Sequence, residues 1–157
     1  MEEKMLQEEL LDAWLGLSSV ISNHRLVSGF SFNEAFVLNL LYKRYVSGDY
    51  LGLTATQLCS KTGILKSQMN GILTALEKQN LIFRQRSQTD RRQIHVAINP
   101  EYLDQYFECH EQVLKKVEAL IHKVGREDGE KAVKMLNHLS GCFREVLEEE
   151  QICQCES

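Results

Sequence analysis

Between residues 54 and 98, two short helical patterns meet at a glycine turn and run directly into two apolar strands joined by a basic loop, an order that few folds accept. Thr54-Ala55-Thr56-Gln57 has the form of a capping box, in which the Thr hydroxyl takes an amide of the first turn and the Gln side chain reaches back to the Thr amide. The spacing predicts a short helix from there to about Thr62-Gly63, where glycine suits the C-terminal cap. A second helix starts only a few residues later and is stopped by Gln79-Asn80. Leu81 to Arg86 and Gln93 to Ile98 then read as strands, the second with Ile94, Val96 and Ile98 alternating onto one face. Ser87 to Arg92 form the polar, basic loop between them.

A helix-turn-helix continued by a basic-tipped hairpin is a winged helix, and the rest of the chain supplies helices around it. From Met5 to about Leu26 a stripe of Leu6, Leu10, Ala13, Leu17 and Val20 or Ile21 predicts a first helix. Ser31-Phe32-Asn33-Glu34 is a second capping box, opening a helix through Val37 and Leu41 to about Val46; Tyr50 to Leu53 reads as a short strand. Asn99-Pro100 caps a long fifth helix, Gly125 breaks it, and a sixth runs from about Glu127 to Val146. The expected fold is therefore mainly α, six helices plus a small β-hairpin wing. It forms one domain over 1–157, with a winged-helix lobe at 31–99 and helical regions at 1–30 and 100–150.

A net charge of −4 argues against a nucleic-acid partner only if charge is evenly spread, because binding DNA means neutralising phosphates. Residues 54–98 hold seven Lys/Arg against two Asp/Glu, a charge of +5. Residues 1–53 hold four against seven, −3, and residues 99–157 seven against thirteen, −6. A basic segment between acidic ones is what a DNA-binding lobe on an acidic helical scaffold presents; a solvated charged face is the plainer alternative.

At 100° per residue, Leu65, Met69, Ile72, Leu73 and Leu76 face inward on the fourth helix. Ser67, Gly71, Thr74 and Lys78 then point outward, with Gln68 and Asn70 on the flanks. Those polar side chains can bond base edges in a major groove, which admits an α-helix. Gly71 costs roughly 1 kcal/mol against Ala in a helix interior, and close approach of another molecule's backbone or groove wall would account for it. Leu65 stands where an N-cap acceptor is expected, leaving the first amides open to an anion such as a phosphate. In the hairpin, Arg84 and Arg86 alternate outward while Arg91 and Arg92 leave the tip beside Asp90, which is placed to orient one guanidinium as a fork. Arginines at such a tip suit a narrow minor groove.

These residues resemble the MarR family of bacterial regulators. Thr54 to Leu58, Leu65-Lys66-Ser67-Gln68-Met69, Leu76 to Ile82 and Asp90-Arg91-Arg92 are similar in order and spacing to its helix-turn-helix and wing pattern. By that resemblance Thr54, Thr56 and Lys66 join the DNA-facing set, and residues near 5–22 and 101–147 form the interface of an obligate-type homodimer. The resemblance further implies repression at an inverted repeat and release by a small, often aromatic ligand or by oxidation. The chain departs from the family in having Gly71 where a long polar residue is common and Leu65 where the N-cap is usually Ser or Thr. An effector would lie between the dimer helices and the lobe, near Trp14, Leu17, His24 or Tyr45.

Other chemistries find little in the sequence. There is no nucleophile elbow, Gly-rich phosphate loop or paired-carboxylate site, so no enzyme is expected, and no cofactor. The five cysteines, 59, 109, 142, 153 and 155, are odd in number and scattered, which suits reduced thiols; His138 with Cys142, and Cys153 with Cys155, are the pairs a metal- or thiol-sensing variant would use. No apolar run is long enough to span a membrane, and the start of the chain has no export-signal pattern, so a cytoplasmic location is expected. The competing function class is a winged helix used as a protein-interaction module without a DNA role.

Overall fold

The computed structural model describes residues 2–23 and 29–155. They form α1 (Glu2–Asn23), α2 (Phe32–Val46), β1 (Leu53–Thr54), α3 (Ala55–Thr62), α4 (Lys66–Lys78), β2 (Ile82–Arg86) and β3 (Ile94–Ile98). A 3-10 turn (Pro100–Tyr102), α5 (Leu103–Val124) and α6 (Arg126–Cys155) complete them. Two compact units result, residues 1–113 and 114–157, and the division falls inside α5.

Helix ends in the first unit follow the local chemistry of the sequence. Ser31 Oγ accepts the Glu34 amide at 3.2 Å and Glu34 accepts the Ser31 amide at 2.8 Å. Thr54 and Gln57 repeat that reciprocal pair at 3.2 and 2.9 Å, each such cap contributing about 1 kcal/mol. Gly63 takes the left-handed conformation, φ 74°, and its amide donates to the Cys59 carbonyl, closing α3. Asn80, at φ 60°, does the same work after α4. Asn99 Oδ1 accepts the Glu101 amide, but Pro100 starts a 3-10 turn before α5 begins at Leu103.

The sheet runs β1-β3-β2, antiparallel throughout, with Leu53 opposite Val96, Ile82 opposite Ile98 and Arg86 opposite Ile94. Here the structure corrects two expectations. The short strand is Leu53–Thr54 rather than Tyr50 to Leu53. Strand β3 is not half-buried in alternation: His95, Val96, Ala97 and Ile98 are all buried and Ile94 is 48% exposed. Strand β3 is paired on both edges, and side chains of both its faces are buried, His95 and Ala97 as well as Val96 and Ile98, whereas β1 ends its pairing at His95 and Ile94 lies beyond it. Gly52 permits the β1 contact, because its φ of 83° and the adjacent Val96 carbonyl leave no space for a side chain.

The core of this unit joins Val37, Leu38 and Leu41 of α2 with Leu58, Met69, Leu73 and Leu76 of α3 and α4, over Leu53, Ile82, Val96 and Ile98 of the sheet. Most of these are essentially inaccessible, each contributing roughly 1.5–3 kcal/mol by burial. Leu65 does not join them: it is 67% exposed, because it is the N-cap and lies outside the helical repeat that the 100° rule assumes. The second unit comprises the rest of α5 and α6, joined through Gly125 at φ 87°. In it Leu120, Val133, Leu136, Phe143 and Val146 are all exposed in the single chain.

Candidate nucleic-acid interface

Helix α4 owes its orientation to its apolar face. With Met69, Leu73 and Leu76 buried, the intervening residues Lys66, Ser67, Gln68, Asn70, Gly71, Thr74 and Lys78 stand exposed in one surface. A side chain at Gly71 would meet no atom within 4 Å, so packing within the chain does not demand glycine there. Leu65 makes no side-chain cap bond, which leaves the opening amides of α4 without a side-chain acceptor. Thr74 Oγ1 donates to the Asn70 carbonyl at 2.8 Å, so its proton is committed and its oxygen can only accept from another molecule.

Of the two threonines ahead of α3, Thr56 is exposed, while Thr54 is half-buried with its hydroxyl and amide both engaged in the capping box. Thr54 thus sets where α3 begins.

The wing is organised by residues that charge counting overlooks. Ser87 is 5% exposed; its hydroxyl accepts the amides of Thr89 and Asp90 and shares a hydrogen bond with Thr89 Oγ1. Asp90 Oδ1 accepts the Arg92 amide at 3.0 Å and holds the turn itself, instead of forking onto a guanidinium. The tight turn puts that amide nearer than either arginine head group. Arg86, Arg91 and Arg92 are exposed, and among the described residues none has a carboxylate within salt-bridge distance. Arg84 differs: its Nε lies 3.3 Å from Glu77 Oε2 and its Nη2 donates to Thr74 Oγ1 at 3.5 Å, tying β2 to the exposed side of α4. At the wing's base, Gln85 Nε2 donates to the Tyr50 and Leu51 carbonyls at 3.0 and 3.1 Å.

Within the first unit, the start of α2 and the first half of α5 enclose an open cavity of about 220 Å³. Phe30, Phe32, Ala35, Phe36, Asn39, Tyr106, Cys109, His110 and Val113 line it. Tyr106 is buried and stacks on His110 with ring centroids 5.5 Å apart, its hydroxyl 3.4 Å from His110 Nδ1. Burial, helped by the neighbouring Tyr42, pushes the Tyr106 hydroxyl pKa upward, so this phenol stays protonated. No Lys, Arg, Asp or Glu is among the lining residues.

The segment that carries the polar face and the wing, residues 28–93, matches the sequence model of the MarR family. That segment is similar to the MarR family. It is 33% identical over 70 residues to the HTH-type transcriptional regulator FarR of Neisseria gonorrhoeae, an overlap of 45% of this chain and 48% of that one. The match therefore spans about half the length of the curated relative. Among solved structures, PcaV of Streptomyces coelicolor, in complex with its natural ligand, superposes with a TM-score of 0.65 at 14% identity, over 83% of this chain and 89% of that one. CouR of Rhodococcus jostii RHA1, bound to p-coumaroyl-CoA, gives 0.64 at 20% identity, over 81% and 86%. At these identities the superpositions establish a shared fold.

In this fold the sequence-derived helix and wing residues assemble into one lobe, and the cavity is lined by residues other than those named for an effector. Trp14 and Leu17 are half-exposed on α1, and Tyr45 packs against the Tyr50 ring. None of the three lines the cavity, and His24 lies outside the described residues. Cavity residues Phe36, Tyr106 and His110 were legible only as helix stripe. Ser87 and Glu77 were also missed, although a serine three residues before an Asp-x-Arg turn was available as a signal. Cys142 Sγ lies 3.8 Å from His138 Nε2 on exposed α6, and the side chains of Cys153 and Cys155 fall outside the described residues. Among the described residues no three His, Cys, Asp or Glu side chains group as metal ligands, and no helix is long and apolar enough to cross a membrane.

Proposed function

We propose that this chain is a transcriptional regulator that binds double-stranded DNA in a sequence-specific way as a homodimer and acts in the cytoplasm. One observation carries the reading: exposed polar side chains, Ser67, Gln68, Asn70 and Lys78 around Gly71, stand beside a wing whose Arg86, Arg91 and Arg92 have no carboxylate partner among the described residues. In this reading α4 enters the major groove, Gly71 admits close approach, and the open amides at the start of α4 take a phosphate. The wing arginines lie along the backbone and in the minor groove. Homodimerisation rests on the apolar residues that α1 and the second unit expose, patches larger than a solitary soluble chain keeps in water. A two-fold dimer reads an inverted repeat whose half-sites lie about one helical turn apart. No residue is assigned a catalytic role.

The same proposal gives the cavity to a small-molecule effector. The ligands bound in the PcaV and CouR structures support ligand control on this fold. The uncharged aromatic lining here favours a planar, neutral molecule that hydrogen-bonds Asn39 or His110.

Selection of bound duplexes from a random pool, followed by titration against salt, tests the DNA reading. Arg91→Ala and Arg92→Ala should each weaken binding on all sequences and flatten the salt slope by about 1 log unit per lost phosphate contact. Gln68→Ala and Asn70→Ala should instead alter the sequence preference. A dimer that retains no duplex in low salt, with full function in the arginine variants, would favour the protein-interaction module.

A further inference from the structure

Glu77 and Asp90 are the only acidic residues between 54 and 98, and Asp90 is occupied by the Arg92 amide. An acidic side chain on the helix that faces phosphates opposes binding, so Glu77 needs a reason to be there. Its partner supplies one. Arg84 Nε lies 3.3 Å from Glu77 Oε2, and Arg84 Nη2 donates to Thr74 Oγ1, whose own proton is held by the Asn70 carbonyl. The guanidinium is thereby drawn against the exposed side of α4 by two contacts, and its charge is matched. Both members are more than a third exposed, so the pair adds little to stability; its effect is to bias where the Arg84 charge lies and to match it.

We propose that Glu77 is a specificity-setting residue: it restrains Arg84 so that this arginine, unlike Arg86, Arg91 and Arg92, which have no carboxylate partner among the described residues, adds no sequence-independent phosphate contact. The inference rests on the DNA-binding reading. Released from Glu77, the Arg84 side chain is long enough, and its plane free enough, to pair with a phosphate as a fork. Random DNA would then be bound more tightly while base-edge contacts from α4 gained nothing, so the ratio of specific to non-specific affinity falls.

The test compares the parent, Glu77→Gln, Arg84→Ala and the double variant on a selected duplex and on a random one, between 50 and 200 mM salt. Glu77→Gln should steepen the random-duplex salt slope by about one contact, which makes its affinity fall ~3.5-fold more than the parent's over that range. Its preference for the selected duplex should shrink. In the Arg84→Ala background the same substitution should leave the slope unchanged. A Glu77→Gln slope equal to the parent's overturns the proposal. So does an equal steepening with and without Arg84, which would reduce Glu77 to a repelling charge. Should the parent itself retain no duplex, the DNA reading fails and takes this inference with it, a result distinct from a parent that binds and a Glu77 variant that matches it. Thermal melts of all four proteins establish that each is folded before titration.

Discussion

The winged-helix elements bury their apolar residues within one chain, whereas α1 and α6 bury none among their described side chains. Leu38, Leu58 and Met69 are 0% exposed, but Leu6, Leu10, Leu136 and Phe143 are 45–64% exposed although each sits on an equally regular helical stripe. The contrast separates two sources of helix stability. In the lobe, a sheet and three helices close around a common interior and each residue's partner lies in the same chain. In α1 and α6, helical spacing is present without enough covering surface, and tertiary packing is what normally stabilises an amphipathic helix. A second copy supplies that surface under the proposed homodimer.

The largest expected effect breaks the comparison on the exposed side. Leu136→Glu combined with Leu139→Glu should leave the lobe folded while sedimentation reports a monomer, and affinity for a two-half-site duplex should fall ~100-fold or more as bivalent binding is lost. A dimer that survives this change would mean that α6 plays no part in the contact.

On the buried side, Leu38→Ala removes a fully enclosed side chain and should cost about 2–5 kcal/mol in urea unfolding with little change in oligomeric state. Coupled loss of dimer and lobe would show that the two regions are less independent than their burial suggests.

Gly71→Ala sharpens the comparison in the opposite sense. Its Cβ meets open space, so helix stability should rise by about 1 kcal/mol, and duplex affinity should drop because the approach to α4 narrows. Higher stability with unchanged binding would show that nothing comes near that backbone.

The smallest effect is a pH slope. Burial raises the Tyr106 pKa in the folded state, so its contribution is present below the unfolded value of about 10 and is lost as pH climbs above it. Tyr106→Phe should flatten the alkaline decline in melting temperature.

Local chemistry was legible without any tertiary information. The capping residues Ser31 and Thr54, Gly63 at the left-handed cap, Asn80 after α4 and Gly125 between the last helices act through neighbours within a few positions, and those neighbours are written in the chain. The apolar side of α4, and hence its polar side, followed from the same period. Relations between elements were not legible. That β3 is central and buried on both faces, that Asp90 holds an amide instead of a guanidinium, and that Arg84 is tied to Glu77 each depend on groups brought together across turns or from separate strands. The cavity of Phe36, Tyr106 and His110 joins residues some seventy positions apart. Periodicity assigns a residue to a side of its helix, and only the packed arrangement decides whether that side meets core, an open cavity or water.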